Sequence, residues 1–233
     1  MAASASVEGP PSLLGATVRR AAFTGRVYLL VGGGYSIVLT TLLSFSGGFS
    51  SAVPLILPMF SVVAGMGAVM VFTSDRVKGV LEYLIAYGIS PRRLFANVLV
   101  ASVVLVTLVI APTLAVSLTV YHALGHPISA RLAEALALYS IPMSYASVAF
   151  AATVGMYWTA LSSPRAGMTS PVGLTPVVGL APTVVTIAAV AVAGPPYYLP
   201  VVGASVASVA ALSIVLVSMV GRLMPNERLL SPV

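Results

Sequence analysis

What most constrains this chain is where its charges fall. The 233 residues carry only 11 Lys and Arg and five Asp and Glu, and these sit at the ends of long apolar runs or between them. Six such runs cover residues 27–45, 53–72, 94–121, 135–161, 174–193 and 199–220. A helix needs roughly 20 apolar residues to cross the ~30 Å hydrocarbon of a bilayer, where every backbone N–H and C=O must find its partner within the segment. At 59% hydrophobic residues, 7% charged residues and a mean hydropathy of +1.07, a soluble domain would have too little charge to cover its surface. The expected fold is an all-α polytopic membrane protein with six transmembrane helices. Residues 12–233 form a single transmembrane domain behind a mobile tail, residues 1–11, whose Glu8 and lack of early basic residues read as a tail and not a cleaved signal. With no cysteine, disulfide, thiol and cysteine-ligated metal chemistry are excluded.

The segments between the runs set orientation. Residues 12–26 place Leu13, Leu14, Val18, Ala21 and Ala22 along one side of a helix and Arg19 and Arg26 on the other, next to Arg20. This suits an N-terminal interfacial helix in the headgroup layer, although Phe23 falls close to the arginine side. Gly32, Gly33 and Gly34 read as a helix contact face, residues 46–52 as an uncharged turn, Pro112 as a kink, and the long fourth run with Pro142 as tilted, kinked or projecting. Residues 162–173 read as a loop, 194–198 as a turn whose tyrosines suit an interface, and 222–233 as a polar tail. With the amino end inside, ten Lys and Arg lie on that side, against Arg131 alone on the other. The positive-inside bias therefore places both termini and residues 75–93 in the cytoplasm. A net charge of +6 would suit nucleic acid if it were clustered; scattered as it is, no nucleic-acid partner is expected.

Residues 75–93 form the most informative stretch. Val77, Val80, Leu81, Leu84 and Ile85 recur at the spacing of one helical face, while Lys78 and Glu82 stand one turn apart on the other. Gly88 suits a left-handed C-cap, and Ser90 with Pro91 an N-cap and first-turn proline. The spacing predicts a short amphipathic helix, a turn and a new helix start.

The order Asp75, Arg76, Gly79, Leu81, Glu82, Leu84, Ile85, then Ser90 and a basic, hydrophobic helix start, resembles the cytoplasmic loop after the second span of ABC-2 type transporter permeases. It departs from the common pattern at Val77, Val80, Gly88 and Asn97. Six spans, cytoplasmic ends and an interfacial helix before the first span are also similar to that family. The resemblance implies the permease subunit of an ATP-driven transporter, an exporter by family analogy, in the cytoplasmic membrane. Such a subunit pairs with a second copy or a paralogous permease and binds no cofactor itself; ATP and Mg belong to a separate ATP-binding subunit. Residues 75–90 would be the coupling helix seated in that subunit. Asp75 and Ser90 would belong to that docking stretch, in which Arg76, Lys78 and Glu82 would supply polar contacts, Gly79 close approach, and Leu81, Leu84 and Ile85 the apolar seat.

Other readings are weighed by chemistry. Amphipathicity alone fits a plain connector as well as a docking helix, so the alternative is a non-transporting membrane scaffold whose cytoplasmic helix recruits a partner. A secondary carrier is disfavoured because Asp, Glu and His are absent from the interior of every run. The chain's one lysine, Lys78, is followed by Gly79 where a P-loop needs Ser or Thr, so it carries no ATPase motif and no enzyme is expected. His122 and His126 have i,i+4 spacing, but Gly125 and Pro127 suggest that the helix has ended, so no metal site is assigned. Thr40, Thr41 and Thr107 are unranked candidates for a path, helix packing being the commoner role of such residues.

Overall fold

The computed structural model describes residues 13–161, 175–194 and 198–220. The expected tail 1–11, loop 162–173 and tail 222–233 lie outside the described residues. Those described form eight helices and no strand. Helix α1 is Leu13–Thr24, α2 is Arg26–Ser46, α3 Phe49–Val77, α4 Val80–Ala86 and α5 Pro91–Ala123. Helix α6 runs from Ala130–Ala135 through a π turn, Leu136–Ser140, into Ile141–Leu161; α7 is Thr175–Ala193 and α8 Tyr198–Ser218. Among the described residues five helices are long and apolar enough to cross a membrane: α2, α3, α5, α6 and, as Pro200–Ser218, α8. The expected fifth span, α7, contributes a shorter apolar helix, Val177–Ala193.

Helix α3 is the centre. It packs against α1, α2, α5, α6 and α7, and 17 of its 29 residues are buried. Gly32 lets α2 lie close on it: a Cβ there would come within 2.8 Å of the Phe60 carbonyl oxygen, so any side chain would force the two backbones apart. Outward from this contact, α2 shows an exposed apolar stripe of Val27, Val31, Tyr35, Val38, Leu42 and Phe45. Helix α8 leans on α6 and α7 and is otherwise exposed.

Several boundaries differ from the sequence reading. Helix α3 begins at Phe49, not Val53, because Gly47 turns the chain with φ +74 and Phe49 is buried in a stack on Tyr121. Helix α6 begins at Ala130, not Ala135, because Ser129 caps it by accepting from the Leu132 N–H at 3.2 Å. Its π turn lies immediately before Ile141 and Pro142, absorbing a residue where a proline removes a backbone donor and crowds the preceding turn. The helix through Pro112 is continuous. Arg26 opens α2 and does not belong to α1, since Gly25 separates the two. Helix α1 is also not confined to a surface layer: Ala21 is fully buried and the helix packs on α3 and α5.

Length positions the charged end. At 1.5 Å per residue α3 is about 43 Å long and α5 about 50 Å, more than the ~30 Å hydrocarbon requires. Their excess carries α4 at the end where Arg19, Arg20, Arg26, Arg76, Lys78, Arg92 and Arg93 gather.

Candidate functional site

Helix α3 stops at Val77 because Gly79 adopts φ +70, a left-handed conformation that side chains resist, and the Gly79 N–H bonds the Arg76 carbonyl at 3.0 Å. The chain restarts at once as α4, whose seven residues are too few to be stable alone. Burial on one face supplies the rest: Leu81 is 3% and Ile85 8% exposed, within the same core cluster as Phe72, Leu94 and Phe95, with Leu84 packed at its edge. Gly88, at φ +83, ends α4 in a Schellman motif, the Ile89 N–H reaching the Leu84 carbonyl at 3.0 Å and the Gly88 N–H the Ile85 carbonyl at 2.9 Å. Ser90 then caps α5, its Oγ accepting from the Arg93 N–H at 3.4 Å, with Pro91 at the first helical position.

The break at Gly79 revises the amphipathic face. Val77 belongs to α3 and is exposed, so it drops from the apolar face of α4, where Leu81 and Ile85 are buried, Leu84 packs at the edge of the core and Val80 is half-buried. The same break parts Lys78 from Glu82, and among the described residues neither forms an ion pair. The outer face of α4 instead presents Glu82, Tyr83, Ala86 and Tyr87, with the two tyrosines 69% and 85% exposed and one helical turn apart. The tyrosines were not singled out from sequence. Their i,i+4 spacing opposite Leu81 and Ile85 was the available signal.

Two of the expected docking residues are engaged within the chain. Asp75 is buried, and the Arg20 guanidinium donates to both its oxygens, Nη1 to Oδ2 at 2.9 Å and Nη2 to Oδ1. Among the described residues this is the ion pair present, and it ties α1 to α3. Arg76 donates to the carbonyl oxygen of Thr159 in the last turn of α6, satisfying an acceptor that a helix end leaves open, while Thr73 and Thr159 join hydroxyls at 3.1 Å. Arg19 is exposed, and Arg26 lies 5.6 Å over the Phe23 ring. The structure thus places Lys78, Glu82, Tyr83 and Tyr87 outward, and Asp75, Arg76, Leu81 and Ile85 inward. Displacing α4 would load α3 directly, and through it α1 and α6.

The other candidates stand as follows. Thr40 Oγ1 meets Ser117 Oγ at 2.6 Å between α2 and α5, and Thr107 Oγ1 meets the Tyr145 hydroxyl at 3.0 Å. Thr41 lies on α2 beside them, its hydroxyl buried. Helix α5 ends at Ala123, and His126 stacks on Tyr121 at 4.9 Å, so the two histidines do not share a helical face. Among the described residues no cluster of three His, Cys, Asp or Glu forms. Comparison with known proteins gives no match: no family model, no curated protein and no solved structure corresponds to this chain.

Proposed function

We propose that the chain is the membrane-spanning subunit of an ABC-2 type, ATP-driven exporter, working with a second permease and with a separate ATP-binding subunit that supplies ATP and Mg. Helix α4 is the coupling helix. One observation carries this reading: α4 buries Leu81 and Ile85 against the bundle and turns Glu82, Tyr83, Ala86 and Tyr87 outward at the cation-rich end. Paired exposed tyrosines beside a carboxylate suit a protein cleft, since aromatic anchors carry much of the energy of protein interfaces. Movement of the ATPase acts on α4 as a push, and the turn at Gly79 passes it to the central helix α3. In this reading α7 is the sixth span, both ends of the domain are cytoplasmic, and the cation-rich end faces the ATPase.

The test is co-purification of the tagged chain in mild detergent, with mass spectrometry and an ATPase assay. An associated ATPase is expected, with its recovery falling about tenfold for Glu82→Arg and for Tyr83→Ala/Tyr87→Ala, a loss equivalent to ~1.4 kcal/mol. Thermal unfolding should show a stability change no larger than that of an ordinary surface substitution, about 0.5 kcal/mol. Failure of any ATPase to associate in detergent and in lipid nanodiscs would remove the motor and leave the scaffold reading in its place.

A further inference from the structure

At the end opposite α4 a cavity of about 580 Å³ opens between the first turns of α3 and α6 and the last turns of α7. Pro54, Leu55, Ile187 and Val190 line it with apolar surface, Ser51 and Ser129 stand at its edge, and Arg131 completes the lining. Its size falls within the ~300–1,000 Å³ of ordinary ligand sites. Arg131 is the sole Lys or Arg at that end among the described residues. Among the described residues it forms no ion pair, even with Glu134 one turn along its own helix, contrary to the pairing that i,i+3 spacing suggests. The N-terminal ends of α3 and α6 add a partial positive charge of the same sign.

An unpaired guanidinium above apolar walls is complementary to an anion that carries hydrocarbon. A free anion would satisfy Arg131 and leave the walls in water; a zwitterionic lipid brings its own cation to the site. From Ser129 to Ala135 the helix rises about 9 Å, enough for a headgroup and the start of one chain, with the remainder left in the bilayer. We propose that this cavity binds an anionic phospholipid, its phosphate on Arg131 and the upper part of one acyl chain against Pro54, Leu55, Ile187 and Val190. The site requires only that the chain be embedded in a bilayer. It is independent of ATPase docking, and a scaffold would bind the same lipid.

The test uses the purified full-length chain in nanodiscs of equal parts phosphatidylcholine and phosphatidylglycerol, with native mass spectrometry counting the lipids retained on release. Preferential retention of phosphatidylglycerol is expected, falling about tenfold in Arg131→Gln and in Leu55→Trp, which keeps the cation and fills the cavity. Arg131→Lys should retain most of the preference, and Arg92→Gln, at the other end of the molecule, all of it. Equal retention of both lipids, unchanged retention in Arg131→Gln and Leu55→Trp, or an equal loss in Arg92→Gln would overturn the proposal. So would displacement by inorganic phosphate, which would make the site one for a free anion. An unfolding midpoint measured for each variant separates lost binding from lost structure, and Arg131, being exposed, can be replaced without opening the core.

Discussion

Cutting the tie between α1 and α3 should be costly from one side and mild from the other. Asp75 is buried, its side chain 8% exposed, whereas the Arg20 side chain is 48% exposed. Arg20→Ala strands a carboxylate out of water, a loss of about 2–3 kcal/mol for a buried charged hydrogen-bonding group. Asp75→Asn returns Arg20 to solvent and keeps a polar side chain, at about 1 kcal/mol. Two unit charges ~4 Å apart attract by about 1 kcal/mol in water and about 4 kcal/mol at an effective dielectric of 20. With one partner half in water, a coupling of about 1–2 kcal/mol is expected. The double variant should therefore cost about 2 kcal/mol, well short of the sum of the singles. Unfolding in detergent can be followed by the fluorescence of the one tryptophan, Trp158, beside the Thr159 that receives Arg76. For a chain of this size Arg20→Ala should lower the midpoint by about 4–12 °C. Additivity of the two substitutions within about 0.5 kcal/mol, or a larger cost for Asp75→Asn than for Arg20→Ala, would refute the argument.

Two further outcomes follow from the packing and the orientation. Gly32→Val places a Cβ 2.8 Å from the Phe60 carbonyl oxygen, and should destabilise by about 1–3 kcal/mol through separation of α2 from α3; an unchanged unfolding midpoint would mean that the helices are not in backbone contact there. Because the chain has no cysteine, Ile128→Cys and Tyr87→Cys give clean topology reporters. An impermeant maleimide should label Ile128→Cys on intact cells and Tyr87→Cys only after permeabilisation, whereas the reverse pattern would place α4 outside the cell and overturn the proposed coupling role.

Most of the helical architecture was legible from the residues because its causes are local. Apolar runs must become helices where backbone groups have no water to turn to, and Gly88, Ser90 and Pro91 punctuate the chain by their own conformational preferences. What misled was also local: Val77 shares a helical spacing with Leu81 and Ile85, and Lys78 with Glu82, but the left-handed turn at Gly79 ends one helix at Val77 and starts the next at Val80, leaving Lys78 between them. The early start of α3 needed Phe49 to find Tyr121, 72 residues away, and a periodicity argument has no access to that pairing.

By itself the sequence determined an all-α chain with helices fit for a membrane, a short amphipathic helix after the second, and an asymmetric distribution of basic residues. Tertiary structure decided what those parts touch. It made α3 the central helix, committed Asp75 to Arg20 and Arg76 to Thr159, left Tyr83 and Tyr87 outward, and set Arg131 unpaired at the mouth of an apolar cavity. The division has a physical origin. Helix formation and termination depend on neighbours within a turn or two, whereas the partner of a buried charge and the position of a cavity depend on how separate helices pack, over sequence distances of 55 residues for Arg20 and Asp75 and 83 for Arg76 and Thr159.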